Sequence, residues 1–304
     1  MFKVIKFSKG KVKDIVLALG NFDGIHIGHK KLLLNAVRYA KRKRARCYAM
    51  TFEPHPQQVI APNKNFKLLT TLDERVHLMS EFGVSGIIIK RFDRVTRRIS
   101  AAQFVKNFLV EGLRVQKVFV GYDFAFGKKR EGNVSLLRKL GRQYGFAVNA
   151  IKPVKSRGAA VKSSAIRKLI IYGRFNEAVK LLGHSYVLHE KVISGRGTGR
   201  KLGFPTANLS TDPDKLIPGY GVYLGSTQIS GKKRKCVINI GSRPTFSGDF
   251  AIEVHILGFK GHLKGKKLNV ELIKKIRDER QFSSVEKLKK QIVKDIRYAR
   301  TLKI

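Results

Sequence analysis

Two histidines close a glycine-rich turn near the start of the chain. Gly20-Asn21-Phe22-Asp23-Gly24-Ile25-His26-Ile27-Gly28-His29 follows an apolar run, Asp14 to Leu19, that reads as a buried strand. It leads into a helical pattern from about Gly28 to Arg44. Glycines let backbone approach a phosphate closely, and the N-terminus of the helix beyond favours anions. His26 and His29 at that mouth can donate to phosphoryl oxygens and stabilise charge developing at an α-phosphate. The plainer alternative is that one caps the helix and the other packs. Thr51-Phe52-Glu53-Pro54-His55-Pro56 follows a second strand, Arg46 to Phe52, where substrate loops lie in open α/β sheets. Gly121-Tyr122-Asp123-Phe124-Ala125-Phe126-Gly127 follows the strand Lys117 to Val120, with Lys128, Lys129 and Arg130 directly after. Lys162-Ser163-Ser164-Ala165-Ile166-Arg167 opens another helix. Its hydroxyls and Arg167 suit triphosphate oxygens, although serine is also a common helix cap.

A second set lies further on. Gly199-Arg200-Lys201-Leu202-Gly203-Phe204-Pro205-Thr206-Ala207-Asn208 is not a Walker A loop, because Lys201 is followed by Leu202 where Ser or Thr is needed. Thr206 and Asn208 offer a hydroxyl and an amide oxygen two residues apart, suited to hard Mg²⁺; a turn with a capping Thr is the alternative. Asn239-Ile240-Gly241-Ser242-Arg243-Pro244-Thr245-Phe246, Ala251 to Leu257 and Ile276-Arg277-Asp278-Glu279-Arg280-Gln281-Phe282 follow. In the strand from Ala251, Glu253 and His255 alternate with Ile252, Val254 and Ile256, so the two polar residues share a face. A carboxylate there can accept the proton of an attacking hydroxyl, or it is an ordinary solvent-facing strand residue.

The elements that must position these groups fall into two textures. Up to Gly183, strands alternate with helices: helices over Leu72–Phe82, Ala101–Leu109 and Ser135–Tyr144, and strands over Gly86–Lys90 and Ala147–Ile151. Two closing helices follow, Ser163–Ile171 and Arg174–Leu182. That alternation predicts a mostly parallel sheet with helices on both faces. After Gly183 come short strands separated by Gly and Pro turns: Tyr186–Ile193, Gly221–Ser226, Lys235–Ile240, Ala251–Leu257 and Lys267–Lys274. They predict an antiparallel barrel or sandwich, closed by a helix from about Ser284 to Arg300.

Composition narrows the setting. The 304 residues suit one large domain or two medium ones. Two cysteines, Cys47 and Cys236, both within apolar runs, argue against a disulfide framework and for a reducing compartment. The first ten residues alternate Lys with apolar residues and carry no long apolar stretch, so no signal peptide is expected, and no uncharged run is long enough to span a bilayer. The formal net charge of +42 attracts anions, nucleic acid among them. Its basic residues are spread along the whole chain and define no groove-reading element, so no specific nucleic-acid partner is expected.

The first set of motifs resembles the HxGH nucleotidyltransferases and, within them, the FAD synthetase module of the bacterial bifunctional riboflavin kinase/FMN adenylyltransferase family. The second set is similar, in order and approximate spacing, to that family's riboflavin kinase domain. The resemblance covers nearly the whole chain. It implies a Rossmann-like α/β adenylyltransferase domain over residues 1–183 and a small antiparallel β-barrel kinase domain with a C-terminal helix over 184–304. It further implies riboflavin, FMN and ATP as substrates, Mg²⁺ as cofactor, a cytoplasmic setting without membrane attachment, and a monomer or transient oligomer. In the first domain, Gly20, Phe22, Gly24, His26, His29, Asp123, Ser163, Ser164 and Arg167 would bind ATP, with His26, His29 and Arg167 catalytic. Asn21, Asp23, Phe52, Pro54, His55, Pro56 and Phe124 would hold the flavin. In the second, Gly199, Lys201, Gly203, Phe204, Pro205, Thr206 and Asn208 would bind ATP, Thr206 and Asn208 would also hold Mg²⁺, and Arg277, Glu279 and Phe282 would bind flavin. Glu253 would be the catalytic base. The chain departs from the family pattern at Lys162, Ser164, Glu190, Gly258 and Lys264. The rivals are a nucleotidyltransferase acting on another phosphate, such as a cytidylyltransferase, and a basic nucleic-acid-binding protein that has lost catalysis.

Overall fold

Runs of apolar residues bounded by Gly, Asp and basic turns form the strands of the first half. The computed structural model describes residues 2–62, 66–195, 197–242 and 250–301. In chain order the first half runs β1 (Lys3–Lys6), β2 (Val16–Leu19), α1 (Ile27–Arg42), β3 (Cys47–Glu53), α2 (Pro56–Ile60), α3 (Leu72–Ser80), β4 (Gly86–Arg91) and α4 (Arg94–Arg98). It continues with α5 (Ala101–Phe104), a π-helical segment Val105–Val110, β5 (Lys117–Gly121), α6 (Val134–Tyr144), β6 (Ala147–Ile151) and a small hairpin, β7 (Lys155–Ser156) with β8 (Ala159–Ala160). The six long strands form one parallel sheet in the order β1-β4-β3-β2-β5-β6. All four residues of β2 are buried, as expected of a strand covered on both faces. Its core gathers Leu17, Leu19, Tyr48, Met50 and Ile88 from the sheet with Phe104, Phe108 and Leu137 from the helices. The chain builds outward from β2 through β3 and β4, then crosses to β5 and β6. The strand order therefore reverses between β2 and β5, and open α/β sheets bind ligands in the crevice beyond such a reversal.

The second half runs α7 (Ser163–Ile171), α8 (Phe175–Leu182), β9 (Tyr186–Ile193), α9 (Thr198–Lys201), β10 (Ala207–Leu209), β11 (Gly221–Ile229), β12 (Lys232–Ser242), β13 (Phe250–Ile256), β14 (Lys267–Arg277) and α10 (Val285–Thr301). Its strands close an antiparallel barrel, β10-β13-β12-β11-β14-β9, which resolves the barrel-or-sandwich alternative. Helix α10 lays Ile296 and Ala299 against Val222, Leu224 and Val237 on the barrel wall. The chain divides into two compact units, Met1–Ser163 and Ser164–Ile304. Helix α8 groups with the barrel because Phe175 packs edge-on to Tyr223 at 5.0 Å and against Tyr186 at 6.1 Å. Compactness thus divides the chain at Ser163/Ser164, whereas Gly183 is the expected boundary between activities. Residues 243–246 of the Asn239–Phe246 motif lie outside the described residues. Among the described residues no helix is long and apolar enough to cross a membrane. Cys47 and Cys236 are free and buried, and burial pushes each thiol up to about 12.

Candidate active sites

The loop that leaves β2 is strained and tied down on several sides. Phe22 (φ 52°) and Ile25 (φ 38°) occupy the left-handed region beside Gly24 (φ 79°), and non-glycine residues stay there only where the surroundings over-determine them. The restraints are explicit. The Asp23 carboxylate accepts from the Thr70 backbone N–H (2.9 Å), Gly24 N–H donates to Thr70 Oγ1 (2.8 Å), and Ser163 Oγ donates to the Asp23 carbonyl (2.8 Å). Asp23 is therefore turned toward Thr70, and Ser163 acts as a tie on the loop.

His26 caps α1: its Nδ1 accepts from Gly28 N–H (3.1 Å) and His29 N–H (3.3 Å). Nδ1 is thereby committed to the cap, and Nε2 takes no part in it. The capping alternative is realised, and it orients the ring rather than removing it from the site. His29 stacks on His26 with ring centroids 3.7 Å apart and meets Phe22 edge-on at 5.3 Å. Burial, reinforced by the neighbouring His26, holds the His29 pKa well below its ordinary 6.5. His29 Nδ1 is buried without a hydrogen-bond partner among the described residues. An anionic oxygen is the kind of partner such a nitrogen lacks.

The surrounding segments divide between lining and support. Phe52 is buried and packs on Phe92 and Phe104, so it supports the Glu53–Pro56 segment from beneath. His55 caps α2 through Nδ1 and stacks on Phe66, while Pro54 stays exposed and Pro56 forms the first turn of α2. Phe124 stacks on Phe126 at 5.5 Å. Lys162, one of the departures, pairs with Asp123 at 3.0 Å, and that bond, with one to Tyr122, raises its pKa. Gly20 begins the loop directly beyond β2. Ser164 and Arg167 continue along α7 in the second compact unit.

The barrel site is assembled by register. Asn208 on β10 stands opposite Glu253 on β13, and Glu253 stands opposite Asn239 on β12. Directly opposed residues share a face, so the three form one row across three strands. Ile252, Val254 and Ile256 are buried while Glu253 and His255 are half-buried, so the row lies on the outer face of the barrel. His255 Nδ1 contacts the Pro205 carbonyl at 2.9 Å and its ring meets Phe204 edge-on, which anchors the Phe204–Asn208 segment. A side chain on Gly195 would strike the Asn208 amide, and one on Gly199 would come within 3.0 Å of Thr206 Oγ1. Those two glycines leave a cradle around the two oxygen-bearing side chains. Lys201 is exposed at the end of α9, followed by Gly203 in the left-handed region (φ 90°).

On the far side, Glu279 reaches Gly241: a side chain there would strike the Glu279 carboxylate and lie 3.3 Å from Asn239 Nδ2. Arg277 donates to Asp295 of α10 through Nε (3.0 Å) and Nη2 (2.8 Å), and through Nη1 to the Asp278 carbonyl (3.0 Å). Its guanidinium lies 5.9 Å from the Phe282 ring. The departure at Glu190 is structural: its buried carboxylate accepts from Ser210 Oγ (2.8 Å) and Asp212 N–H (3.1 Å), tying the loop after β10 to β9.

Sequence reasoning missed Thr70, Arg75, Asn239 as a member of the Glu253 row, and Asp295. Thr70 and Arg75 sit in and beside a capped helix start, and nothing local marks them as partners of a loop some fifty residues earlier. The Thr71–Glu74 capping box is the one readable signal there.

Comparison with known proteins places both halves of the chain in families. The FAD synthetase family model matches residues 8–165 and the riboflavin kinase family model residues 182–303. A bifunctional riboflavin kinase/FMN adenylyltransferase of Escherichia coli K12 is 37% identical over 295 residues, 95% of this chain and 92% of the relative. Proteins of the same name are 38% identical in Buchnera aphidicola from Schizaphis graminum (92% of this chain, 91% of the relative) and 36% identical in Listeria monocytogenes (92% and 90%). A solved structure from Streptococcus pneumoniae, described as a macrolide-efflux protein, superposes with a TM-score of 0.88 at 27% identity over 99% of both chains. With both domain families matched in order and relatives aligned over nearly the full length, the chain belongs to the bifunctional riboflavin kinase/FMN adenylyltransferase family.

Proposed function

We propose that this enzyme, which converts riboflavin to FMN and FMN to FAD with ATP, performs the two steps at the two sites described above. The observation that carries this reading is the occurrence in one chain of the stacked His26–His29 pair on a restrained loop and the Asn208–Glu253–Asn239 row on a barrel face.

In the barrel, Glu253 accepts the proton of the riboflavin 5′-hydroxyl as that oxygen attacks the γ-phosphorus of ATP; the bond to the β-phosphate oxygen breaks and ADP leaves. Gly199, Lys201, Gly203, Phe204 and Pro205 line the nucleotide side, and Glu279 and Phe282 line the flavin side. Arg277 acts there with its guanidinium fixed by Asp295. Thr206 and Asn208 would hold Mg²⁺: two neutral oxygen donors in a glycine cradle suit a hard cation. Bound there, Mg²⁺ would neutralise charge on the transferring phosphoryl group.

In the first domain a phosphate oxygen of FMN attacks the α-phosphorus of a second ATP and pyrophosphate leaves. The nucleophile is already ionised, so no base is needed. His26, His29, Asp123 and Ser163 hold the triphosphate, and Ser164 and Arg167 are assigned to it by the family motif that they share with Ser163; Asn21, Pro54, His55, Pro56 and Phe124 bound the flavin. The His29 imidazole, held neutral by burial and with a buried nitrogen that lacks a partner among the described residues, suits the stabilisation of developing charge.

The two activities divide near Gly183. The enzyme works in the cytoplasm as a monomer or transient oligomer, with its charge of +42 serving as an electrostatic background for anionic substrates rather than for a specific nucleic acid. Incubating the purified protein with riboflavin, ATP and Mg²⁺ and resolving the products tests the whole reading: FMN should appear first and FAD after it. Absence of FMN would remove the barrel assignment, and FMN without FAD would remove the first. Any DNA or RNA binding should collapse as salt rises to physiological strength, and tight sequence-selective binding there would contradict the electrostatic view.

A further inference from the structure

Arg75 is the largest fully buried side chain among the described residues, and its side-chain partners belong to the two substrate segments of the first domain. It stands on the first turns of α3. Nη1 donates to the Asn21 carbonyl (3.2 Å) and to Thr51 Oγ1 (3.0 Å), and Nη2 pairs with the Glu53 carboxylate. Thr51 Oγ1 in turn donates to the same Asn21 carbonyl (3.0 Å). Asn21 lies on the loop that carries the left-handed Phe22 and Ile25; Thr51 and Glu53 end β3, where Pro54–Pro56 begins. Thr70, just before α3, holds the same loop through Asp23 and Gly24. One helix start therefore grips both segments.

Burying a guanidinium is costly, and a buried ion pair is a poor way to obtain stability because apolar packing of equal volume usually serves as well or better. What the planar fork does supply is geometry: several donors in fixed relation, bonded to partners on two different segments. We propose that Arg75 is a positioning residue for adenylyl transfer, a strut that sets the separation between the phosphate loop and the flavin segment. This rests on the assignment of that reaction to the His26–His29 loop. The FMN phosphate must reach the α-phosphorus in line with the departing pyrophosphate, and a misplacement of about 1 Å can cost about 10²-fold in rate. Loss of the strut lets one segment move relative to the other while each still carries its own binding groups.

The test measures kcat and KM for FAD formation from supplied FMN, and riboflavin phosphorylation in the same preparation, for the full-length protein and three variants. Arg75→Met should lower the kcat of FAD formation about 30- to 100-fold, change KM for ATP less than threefold, and leave riboflavin phosphorylation unchanged. Arg75→Lys, which restores the charge to Glu53 with a single donor centre, should recover at least a third of the original kcat. Thr51→Val keeps the shape and removes the hydroxyl shared by Arg75 and Asn21; it should lower kcat about five- to tenfold. If Arg75→Met does not fold, as judged by circular dichroism, Thr51→Val decides. A folded Arg75→Met with kcat within twofold of the parent, or in its absence a folded Thr51→Val with unchanged kcat, overturns the proposal. His29→Ala is run in parallel: if it too leaves FAD formation intact, the reaction centre itself has been misassigned, whereas loss of activity in His29→Ala beside an unaffected Arg75→Met sinks the strut alone.

Discussion

In the first domain His26 and His29 stand within one turn of the same helix, and the loop before them is contiguous in sequence. In the barrel, Asn208, Glu253 and Asn239 come from three strands and meet because β10, β13 and β12 pair in one register. The first site is a local motif held from outside by Thr70, Arg75 and Ser163. The second is a row whose members hold no common stretch of chain. The two are therefore vulnerable to different damage. A strained loop fails when its distant ties are cut. A register row fails when a single side chain in it loses its chemistry, because the pairing that assembles it survives the substitution.

The sharpest test of that difference is Glu253→Gln, which keeps size and pairing but cannot accept a proton. Riboflavin phosphorylation should fall by about 10²–10⁴-fold with FAD formation from supplied FMN unchanged. Unimpaired FMN production would return Glu253 to the solvent-facing reading and make Glu279 the next carboxylate to test. His29→Ala is the mirror experiment: loss of one donor to developing charge should cost FAD formation about 10²–10³-fold while FMN formation stays near normal. Loss of both products in a well-folded variant would mean that the sites are not independent. A fragment of residues 1–183 presses the same point, since it should adenylylate added FMN yet fail to phosphorylate riboflavin; a folded fragment that makes no FAD would show interdependence.

Asp295→Ala probes what holds the barrel site's far edge. It strands the Arg277 guanidinium, and removing one partner of a largely buried pair should cost about 3 kcal/mol in urea unfolding. A loss below about 1 kcal/mol would identify the pair as a surface interaction of little consequence. The smallest expected effect concerns His29. Its folded pKa is depressed, so the unfolded chain takes up a proton on this residue that the folded one does not. The stability this residue contributes is present above its unfolded value of about 6.5 and is lost as pH falls below it. The pH slope of the unfolding midpoint between about pH 7 and 5 should be shallower in His29→Ala than in the parent; equal slopes would mean His29 titrates normally.

Much of this was open to inspection in the sequence. The alternation of buried strands with amphipathic helices, the shift to short strands after Gly183, and the contiguous Gly20–His29 turn follow from periodicity and turn chemistry that act over a few residues. Strand β1, with its exposed Val4, and the three-residue β10 were not, because strands that short or that open carry too weak a pattern. The helix expected over 101–109 is there, but it widens to a π-helical course from Val105, a change no propensity records. The row Asn208–Glu253–Asn239 was half legible: alternation in β13 put Glu253 and His255 on one face, but which residues stand opposite depends on register. Register is decided by which faces are buried when the barrel closes. The ties to the Gly20–His29 loop could not be read at all. Thr51, Thr70 and Arg75 look like an ordinary strand residue, a residue near a capping box and a basic helical residue. Only the folding of α3 across the ends of β2 and β3 brings a charged group into a place where it must find partners, and the partners available are the Asn21 carbonyl and the Thr51 and Glu53 side chains.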